Sequence, residues 1–426
     1  MKKVLVLIAL AVATTASAQQ WMRVWQAGES TRYALTDVIE MPYATAGSSF
    51  TIGGVDYATA AIDSITIINP VTVTWDGATA TVDIPATVEG VSYTVNGGDV
   101  IITNINETTE QEFVLQGTST AGSLTYNGTY KCKFHLNGLN LTSTTGAALD
   151  IQCGKRIDLI LMDGTTNSLT DCANGTQKAA LNCQGHLEVA GGGSLTIAGN
   201  TAHGLRSKEY LILKKSAGAI SVTKAVTDAV HCGEFFTMNG GQLTLSGYGA
   251  DGLQMETAAN SDELDNGVFT MNAGTIDVTH TSAGTKAIRA DSTVAVMNLN
   301  GGTISIDMTS TASDAEGIEC DGNINISQTG EVPTVITVKN GGKGYKDAEG
   351  EKIRSTGMKS DATITMNNGT VTINATGTYA RGMRAASLIV NGGTLTVTNT
   401  GDSSQGVKLD NTVIKNGGTV NASFKY

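Results

Sequence analysis

Residues 381–420 read RGMRAASLIVNGGTLTVTNTGDSSQGVKLDNTVIKNGGTV, and this stretch contains one pattern twice. An Asn-Gly-Gly turn separates two short alternating apolar/polar runs at Asn391 and again at Asn416. A five-residue element precedes each pair of runs, beginning at Arg381 and at Gln405, with Gly second, an aliphatic residue third and a polar residue fourth. Repetition of this kind is typical of repeat architectures, in which each unit buries its apolar side only against its neighbours.

The same element recurs through the second half of the chain. Its starting positions are separated by 25, 23, 35, 30, 40, 25 and 24 residues: His203, Asp228, Asp251, Lys286, Glu316, Thr356, Arg381 and Gln405. Three short strands and three turns fit into a coil of about 24 residues, and stacked coils pair their strands in parallel at roughly 4.8 Å. The sequence therefore predicts an all-β fold, a right-handed parallel β-helix (solenoid) with a small N-terminal β module or cap. A meander of Asn-Gly hairpins is the alternative, but it does not account for the recurring element.

The chain divides into four predicted segments. Lys2 and Lys3, the apolar run that follows and the small residues before position 19 predict a signal peptide at 1–18, so we expect an exported protein that is periplasmic, secreted or on the cell surface. Residues 19–70 are expected to form the small β module, and 71–94 lead-in or cap strands. Residues 95–426 are expected to form the β-helix, and no segment after the signal peptide is predicted to span a membrane.

Charge narrows the choice of partner. Removing Lys2 and Lys3 with the signal lowers Lys+Arg from 27 to 25 against 39 Asp+Glu, a formal net charge of −14. Such a surface repels nucleic acid and anionic lipid. A neutral glycan is indifferent to it, whereas an acidic glycan needs a bridging cation. We expect a monomer that binds polysaccharide and no nucleic acid.

Six cysteines follow the signal peptide. The predicted register places Cys183, Cys232 and Cys320 in one inward column of small residues. Cys183 and Cys232 lie two coils apart, roughly 9.6 Å, which is too far for a disulfide. We therefore expect buried free thiols there. One disulfide among the remaining three stays open: Cys132, Cys153 and Cys172.

Two charged columns follow from the same register. An acidic column contains Glu256, Asp291, Asp321, Asp361 and Asp410, and an outward basic column contains Arg206, Arg289, Lys359, Arg384 and Lys408. Stacked carboxylates repel one another, so either the basic residues compensate them or a hard cation binds between coils. The hypothesis of a bound cation predicts calcium, with these candidate ligands: Asp228, Asp251, Glu256, Asp291, Glu316, Asp321 and Asp361.

Sugar recognition favours aromatic rings and planar polar groups near one another. Tyr248 and Tyr379 precede the element in their coils, so both fall in the same predicted loop, where they either cover a coil edge or border a shallow groove. The groove hypothesis gives this set of carbohydrate-binding candidates: Tyr248, Arg289, Lys359, Tyr379, Arg381 and Arg384.

Catalytic motifs are absent from the sequence. It contains neither a Gly-x-Ser-x-Gly nor a His-Glu-x-x-His motif. His203 and His231 fall on neighbouring coils at different column positions, which favours structural roles. An inverting hydrolase on a β-helix would need two or three clustered Asp on one face. The acidic column could mimic such a cluster, but it arises from the repeat and is not unique to one coil. We expect no enzymatic activity.

Three stretches resemble a known family. These are residues 153–171 with the run DGTTNSLTD, the segment HGLRSKE at 203–209, and the repeated Gly-Ile/Met-Lys-Ser/Cys-Asp element with its Asn-Gly-Gly turns. They resemble bacterial carbohydrate-binding domain-containing β-helix proteins, which are associated with calcium, bind polygalacturonate or cellulose, and are similar in fold to family 9 pectate lyases. The resemblance covers roughly 90–426 and implies glycan binding without hydrolysis. The family's element begins Asp-Gly-Ile, and here only Asp251-Gly252 keeps the Asp-Gly pair.

The leading hypothesis is thus non-catalytic binding of an acidic or cellulosic polysaccharide, with calcium assistance where the acidic residues permit it. A surface adhesin or structural repeat protein that contacts protein or host glycans is the second hypothesis. A polysaccharide lyase is the third, and it requires calcium beside a Lys or Arg base.

Overall fold

The computed structural model describes residues 21–27, 29–34, 49–52 and 54–425. Within these ranges the chain is all-β, and its only helical segment is the 3₁₀ turn Thr59–Ala61. None of its helices there has the length and apolar character needed to cross a bilayer. The predicted signal peptide at 1–18 lies outside the described residues, as does part of the predicted N-terminal module.

Antiparallel strands occupy the first part of the described chain. Strands β1 (Trp21–Gln26), β2 (Glu29–Ala34) and β5 (Ser64–Ile68) form one sheet, and β3 (Ser49–Ile52) pairs with β4 (Val55–Ala58) as a hairpin. A buried ion pair ties this sheet to the rest of the chain, since an Arg23 guanidinium nitrogen lies 2.9 Å from Glu112. The other Glu112 oxygen lies 2.7 Å from Nε2 of the buried His135.

Two large, mainly parallel sheets form the remainder. The 14-stranded sheet, called the front sheet here, contains β8 (Val91–Asn96), β9 (Gly98–Asn104), β11 (Gly122–Gly128), β13 (Leu149–Gln152), β16 (Ala179–Cys183), β19 (His203–Ser207), β22 (Val230–Cys232), β25 (Leu253–Met255), β28 (Lys286–Ala290), β31 (Glu316–Cys320), β36 (Thr356–Ser360), β39 (Arg381–Ala385), β42 (Gln405–Leu409) and β45 (Phe424–Lys425). Apart from the antiparallel pair β8–β9, its strands run parallel to one another.

The second sheet has 24 strands and contains two parallel ladders. One ladder contains β10 (Gln111–Ser119), β12 (Cys132–Thr142), β14 (Ile157–Leu161), β17 (Leu187–Ala190), β20 (Leu211–Leu213), β23 (Phe236–Met238), β26 (Val268–Met271), β29 (Val296–Leu299), β32 (Asn323–Ile326), β37 (Thr363–Met366), β40 (Ser387–Val390) and β43 (Val413–Lys415). The other contains β15 (Thr166–Thr170), β18 (Ser194–Ala198), β21 (Ala219–Lys224), β24 (Gln242–Leu245), β27 (Thr275–His280), β30 (Gly302–Met308), β33 (Thr334–Asn340), β38 (Thr370–Ala375), β41 (Thr394–Asn399) and β44 (Thr419–Ala422).

The two ladders diverge at the long strand β12. Its first half pairs with β14 and its last three residues pair with β15. Strand β6 (Val71–Asp76), expected as a lead-in strand, already pairs in parallel with β10, and β7 (Thr79–Asp83) pairs antiparallel with β6. The insertion predicted at 343–352 contains a small hairpin of β34 (Tyr345–Lys346) and β35 (Lys352–Ile353).

From Leu149 to Ala422 every repeat contributes one strand to the front sheet and one to each ladder. Alternation along each strand places one aliphatic residue per repeat in a buried column of the front sheet. Its members are at most 1 % exposed: Leu149, Leu181, Leu205, Val230, Leu253, Ile288, Ile318, Met358, Met383 and Val407. One apolar core runs from Val71 to Leu409 along the stacked strands, and a second, smaller core lies in the N-terminal strands and contains Met22, Val24, Ile52 and Tyr57.

The predicted column of small residues is present in the strand register. Cys183 pairs with Ser207 and Ser207 pairs with Cys232, which places the two cysteines two strands apart. All six cysteines are unpaired, so none of the open disulfide pairings among Cys132, Cys153 and Cys172 is formed.

Asparagine side chains link successive turns outside the core. Asn272 donates its amide to Asn239 at 2.8 Å, and Asn300 donates to Asn272 at 3.1 Å. A second group contains Asn367, Asn391 and Asn416, with both amide contacts at 2.7 Å. The repeated Asn of the Asn-Gly-Gly turns therefore stabilises the stack as well as the turn.

Candidate functional site

The outward face of the front sheet carries a continuous line of polar side chains. The residue between the two buried positions of each strand points outward, and the parallel register aligns it with its counterpart on the next strand. We call this line the outward column: Asp150, Asn182, Arg206, His231, Gln254, Arg289, Glu319, Lys359, Arg384 and Lys408. The predicted basic residues lie in this line, but acidic, amide and imidazole side chains interrupt them.

A depression of about 400 Å³ lies over the first part of this column. We call it the polar groove, and nine residues line it: Asp150, Gln152, Thr176, Gln177, Lys178, Asn182, Gln184, Arg206 and Lys208. All nine are polar or charged, and none is aromatic. Three neighbouring strands at about 4.8 Å make its floor about 10 Å long.

Hydrogen bonds fix the floor of the polar groove. Asp150 Oδ1 accepts from the Asn182 amide at 2.7 Å and from the Gln152 amide at 2.8 Å. Arg206 donates from a guanidinium nitrogen to Asn182 Oδ1 at 3.3 Å. Asp150, Asn182 and Arg206 are all less than a tenth exposed. The floor is therefore ordered before any ligand arrives.

The charge of the polar groove is opposite to that of the chain. Lys178, Arg206 and Lys208 face a single carboxylate, Asp150, whereas the whole sequence has a net charge of −12. In the described part of the chain, no carboxylate oxygen lies within 4.0 Å of any of these three cations. Burial lowers the pKa of Arg206. The groove thus offers unpaired positive charge, with one guanidinium already stripped of most of its water.

Further along the front sheet, the predicted acids and bases compensate one another. An Arg289 guanidinium nitrogen lies 2.9 Å from Asp291, and others lie 3.7 Å from Asp251 and 3.8 Å from Glu319. Lys286 Nζ lies 3.5 Å from Glu319. Asp251 Oδ1 also accepts the Lys286 backbone N–H at 2.7 Å. Arg289 therefore acts as the counter-ion of three carboxylates.

The remaining acidic candidates show the same arrangement. Lys359 pairs closely with Glu319 and lies 3.7 Å from Asp361. Lys286 lies 3.8 Å from Glu316, but burial and the charge of Glu319 still raise the pKa of Glu316 to about 7. Burial and Glu319 also raise the pKa of Asp321.

These contacts bear on the predicted calcium ligands. Calcium takes six to eight oxygen ligands at about 2.3–2.6 Å. Among the residues that the structure describes, the acidic candidates do not gather in groups of three or more: the one close group of His, Cys, Asp or Glu donors is His203, Asp228 and His231. Six of the seven candidates instead lie beside Lys, Arg or His: Asp228, Asp251, Glu256, Asp291, Glu316 and Asp361. The seventh, Asp321, shares a side-chain hydrogen bond with Asp291. Calcium binding by these residues therefore stays a prediction.

Tyr248 is buried and does not border a surface groove, as the carbohydrate-binding hypothesis required. It is 4 % exposed, and its hydroxyl lies 2.8 Å from Nδ1 of the buried His280. The ring passes close to Gly252, where a Cβ would come within 2.9 Å of the Tyr248 hydroxyl. The missing side chain at Gly252 therefore lets Tyr248 fold inward, and its ring presents no face to a sugar.

Tyr379 stays at the surface with basic residues around it. It is half-buried, with a positive φ of 57°, and Lys352 Nζ and Arg354 Cζ lie 5.3 and 5.9 Å from the centre of its ring. Arg381 donates to Gln405 at 3.2 Å, and Arg384 pairs with Asp410 at 3.4 Å. Burial and the charges of Arg354 and Arg384 lower the pKa of Arg381 to about 10. The structure thus keeps Tyr379, Arg381 and Arg384 near one another and separates them from Tyr248.

Sequence reasoning missed one close cluster. His203 Nδ1 and His231 Nδ1 lie 3.1 and 3.2 Å from the same oxygen, Asp228 Oδ2. The two imidazole rings stack with their centres 4.6 Å apart. The two histidines occupy different column positions, so alignment of the repeats does not predict a contact between them, but a diagonal contact between adjacent strands brings them together. Asp228 occupies the same column position as His203, and this was the sequence feature that could have indicated the cluster.

Comparison with known proteins identifies the family of this chain. No curated protein matches this chain. A solved structure described as the polysaccharide lyase-like protein from C. thermocellum, a gadolinium derivative, has 22 % sequence identity and a TM-score of 0.49, and the match covers 63 % of this chain and 99 % of that one. The model of the family described as carbohydrate-binding domain-containing protein matches residues 96–406, well over half of the chain. The chain therefore belongs to this carbohydrate-binding domain-containing protein family.

Proposed function

We propose that this protein binds an acidic polysaccharide, without cleaving it, along the outward face of the front sheet. The observation that carries the proposal is the polar groove, in which Lys178, Arg206 and Lys208 have no carboxylate partner among the described residues. Family membership supports a glycan as the ligand. The direction of the charge favours a glycan that bears carboxylates.

The groove chemistry suits a uronate chain better than a cellulosic one. Guanidinium groups bind carboxylates through paired hydrogen bonds, and amide groups both donate to and accept from hydroxyls. Flat neutral glycans are bound largely by aromatic stacking, and the groove lining contains no aromatic residue. Because the outward column continues over many strands, a linear polymer lying along it meets polar groups at each strand spacing.

Long-range repulsion accompanies this local attraction. A net charge of −12 opposes the approach of a polyanion, whereas the cations of the groove act at contact distance. Salt screens the long-range repulsion before it weakens the contacts in the groove, because the Debye length is about 8 Å at physiological ionic strength. We therefore expect binding to tolerate moderate salt better than an exposed basic patch would.

The groove lacks the carboxylates of a hydrolase. Glycoside hydrolysis commonly uses two carboxyl groups, about 5–10 Å apart, that flank the scissile bond. Asp150 is the only carboxylate lining the groove, and it already accepts two amide hydrogen bonds. The groove lining therefore does not supply the pair of carboxyl groups that this reaction uses. No calcium enters the proposal, because the acidic candidates do not converge on one point.

Two structural points complete the proposal. We infer that the front sheet and the two ladders wind together as a right-handed parallel β-helix, because successive strands visit the three ladders in a fixed order and crossovers between parallel strands are overwhelmingly right-handed. We also propose export through the signal peptide at 1–18, which would place the groove where extracellular polysaccharide is present.

Affinity electrophoresis in gels containing polygalacturonate, with hydroxyethyl cellulose as the neutral glycan, tests the function. Lys208→Gln removes an exposed cation of the groove, and Lys415→Gln removes an exposed cation from β43 in another ladder, so the two variants change the net charge equally. We expect Lys208→Gln to weaken retention about five- to tenfold, as for one solvent-exposed hydrogen bond worth about 1–1.4 kcal/mol, and Lys415→Gln to bind like the wild type.

Two results would contradict the proposal. Equal retention of both variants would show that the groove is not part of the binding surface. Absence of retention of the wild type on acidic glycans would show that the proposed function is wrong. Release of unsaturated products that absorb in the ultraviolet would show instead that the protein is a lyase.

A further inference from the structure

The cluster of His203, Asp228 and His231 has the donors and spacing of a metal site, and none of its three residues lines the neighbouring polar groove. His203 begins β19, His231 lies at the centre of β22, and Asp228 precedes β22. The three donor atoms all lie within 4.8 Å of one another. The donors come from two adjacent strands of the front sheet, so an ion held by them would link successive repeats.

The measured separations match those around a bound ion. Zinc lies about 2.0–2.1 Å from imidazole nitrogen and carboxylate oxygen. Neighbouring ligand atoms around such an ion are roughly 3.0–3.4 Å apart in octahedral or tetrahedral geometry. Asp228 Oδ2 lies 3.1 Å from His203 Nδ1 and 3.2 Å from His231 Nδ1. An ion placed between these atoms would replace the hydrogens through which the imidazoles now contact Asp228, and the two stacked rings would have to rotate towards it.

Second contacts hold the donors in place. Asp228 Oδ1 accepts the backbone N–H of Asp251 at 3.0 Å, which fixes the carboxylate and leaves Oδ2 for the two imidazoles. Glu256 lies 3.8 Å from His231 Nε2, which is beyond hydrogen-bond distance but adds negative charge near the cluster. Thr227 Oγ1 lies 3.0 Å from His203 Nδ1, so this hydroxyl must turn away when an ion binds.

Exposure and donor type decide which ion fits. The side chains of His203 and His231 are 15 % and 13 % exposed, so solvent reaches the donors and water can complete the coordination. Two imidazoles and one carboxylate suit zinc, cobalt, nickel or copper, whereas calcium and magnesium prefer oxygen donors alone. We propose that His203, Asp228 and His231 form a binding site for a first-row transition-metal ion of the zinc type, with open positions filled by water or a ligand oxygen.

Titration of the chelator-treated full-length protein with Zn²⁺, followed by calorimetry, tests the site, and Co²⁺ absorption in the visible range reports its geometry. We expect one Zn²⁺ per chain at micromolar concentration or tighter, no competition from millimolar Ca²⁺, and cobalt bands of four- or five-coordinate intensity. Asp228→Asn and His231→Gln should each weaken Zn²⁺ binding at least tenfold, with an unchanged far-ultraviolet circular dichroism spectrum as the check on folding.

His186 supplies the matched control. Its Nε2 lies 2.6 Å from Glu209, and its side chain is 26 % exposed, so His186→Gln removes another solvent-reachable histidine beside a carboxylate. We expect this variant to bind Zn²⁺ like the wild type. The proposal is overturned if the wild type binds no Zn²⁺ at micromolar concentration, if Ca²⁺ competes equally, or if His186→Gln loses binding while His231→Gln keeps it.

Discussion

Replacement of Gly233 by alanine tests the contact between repeats more directly than any change in the core. A Cβ at this position would lie 1.9 Å from the carbonyl oxygen of Lys208 and 2.9 Å from its carbonyl carbon, both in the preceding repeat. The φ of Gly233 is not positive, so alanine is not strained by the local backbone. The whole penalty therefore arises from the neighbouring repeat.

The magnitude follows from the distances. Ordinary Cβ contacts are 3.4–4 Å, so the chain at Gly233 must move by about 1.5 Å against a strand spacing of about 4.8 Å. Overpacking of this kind typically costs about 1–3 kcal/mol. The same movement weakens the hydrogen bond that the Gly233 N–H shares between the carbonyl oxygens of Ser207 and Glu209, at 3.2 and 3.0 Å, which contributes about 1 kcal/mol. We expect Gly233→Ala to lower the free energy of unfolding by about 2–4 kcal/mol.

Gly154→Ala is the control, because a Cβ there meets nothing within 4 Å and the φ of Gly154 is also not positive. It should leave the protein unchanged or stabilise it by up to about 1 kcal/mol, through the loss of freedom in the unfolded chain. Urea unfolding followed by circular dichroism compares the two variants with the wild type, and limited proteolysis locates any local opening. Equal urea midpoints for the two variants would refute the stacking of Gly233 on Lys208.

Three further predictions concern titratable groups. Burial lowers the pKa of His135 and His280 to about 4, below an unfolded value near 6.5. The free energy of unfolding should therefore fall by up to about 3 kcal/mol for each histidine as the pH drops from about 6.5 to 4. Urea midpoints at pH 7 and 4.5 measure this change, and a higher midpoint at pH 4.5 would contradict it. The pH dependence of stability has the opposite sign for Glu316, because the pKa of this residue is raised to about 7. In the same assay, Glu316→Gln should stabilise the protein by up to about 3 kcal/mol at pH 8 and have little effect at pH 5. Burial raises the pKa of the Cys183 and Cys232 thiols to about 12. A thiol reagent at pH 8 should therefore modify neither cysteine in the folded protein and both in urea. Labelling of the folded protein would show that solvent reaches the column of small residues.

The repeat register could be predicted from the sequence because the side-chain period in a strand is two and the recurring element has a fixed length. Once the elements at His203 and Asp228 are aligned, Arg206 must pair with His231 and Ser207 with Cys232, as the structure shows. The same alignment accounts for the buried aliphatic column. Parallel stacking thus follows from local pattern alone.

Contacts across the register could not be predicted in this way. His203 and His231 meet diagonally, and Tyr248 turns inward because Gly252 leaves room for its ring. Both depend on side-chain direction, which column position does not specify. The polar groove was missed for another reason: its lining includes Gln177 and Lys178, which belong to a connecting segment rather than to the repeated element.

The asparagine contacts between turns all have the same direction. In both groups the amide nitrogen of the later residue donates to the amide oxygen of the earlier one, from Asn272 to Asn239 and from Asn416 to Asn391. Aligned amide dipoles add, as peptide dipoles do in an α-helix, and each bond polarises the next. Each asparagine row therefore has a direction, with the amide group of its earliest residue and the carbonyl oxygen of its latest residue left out of the hydrogen bonds within the row.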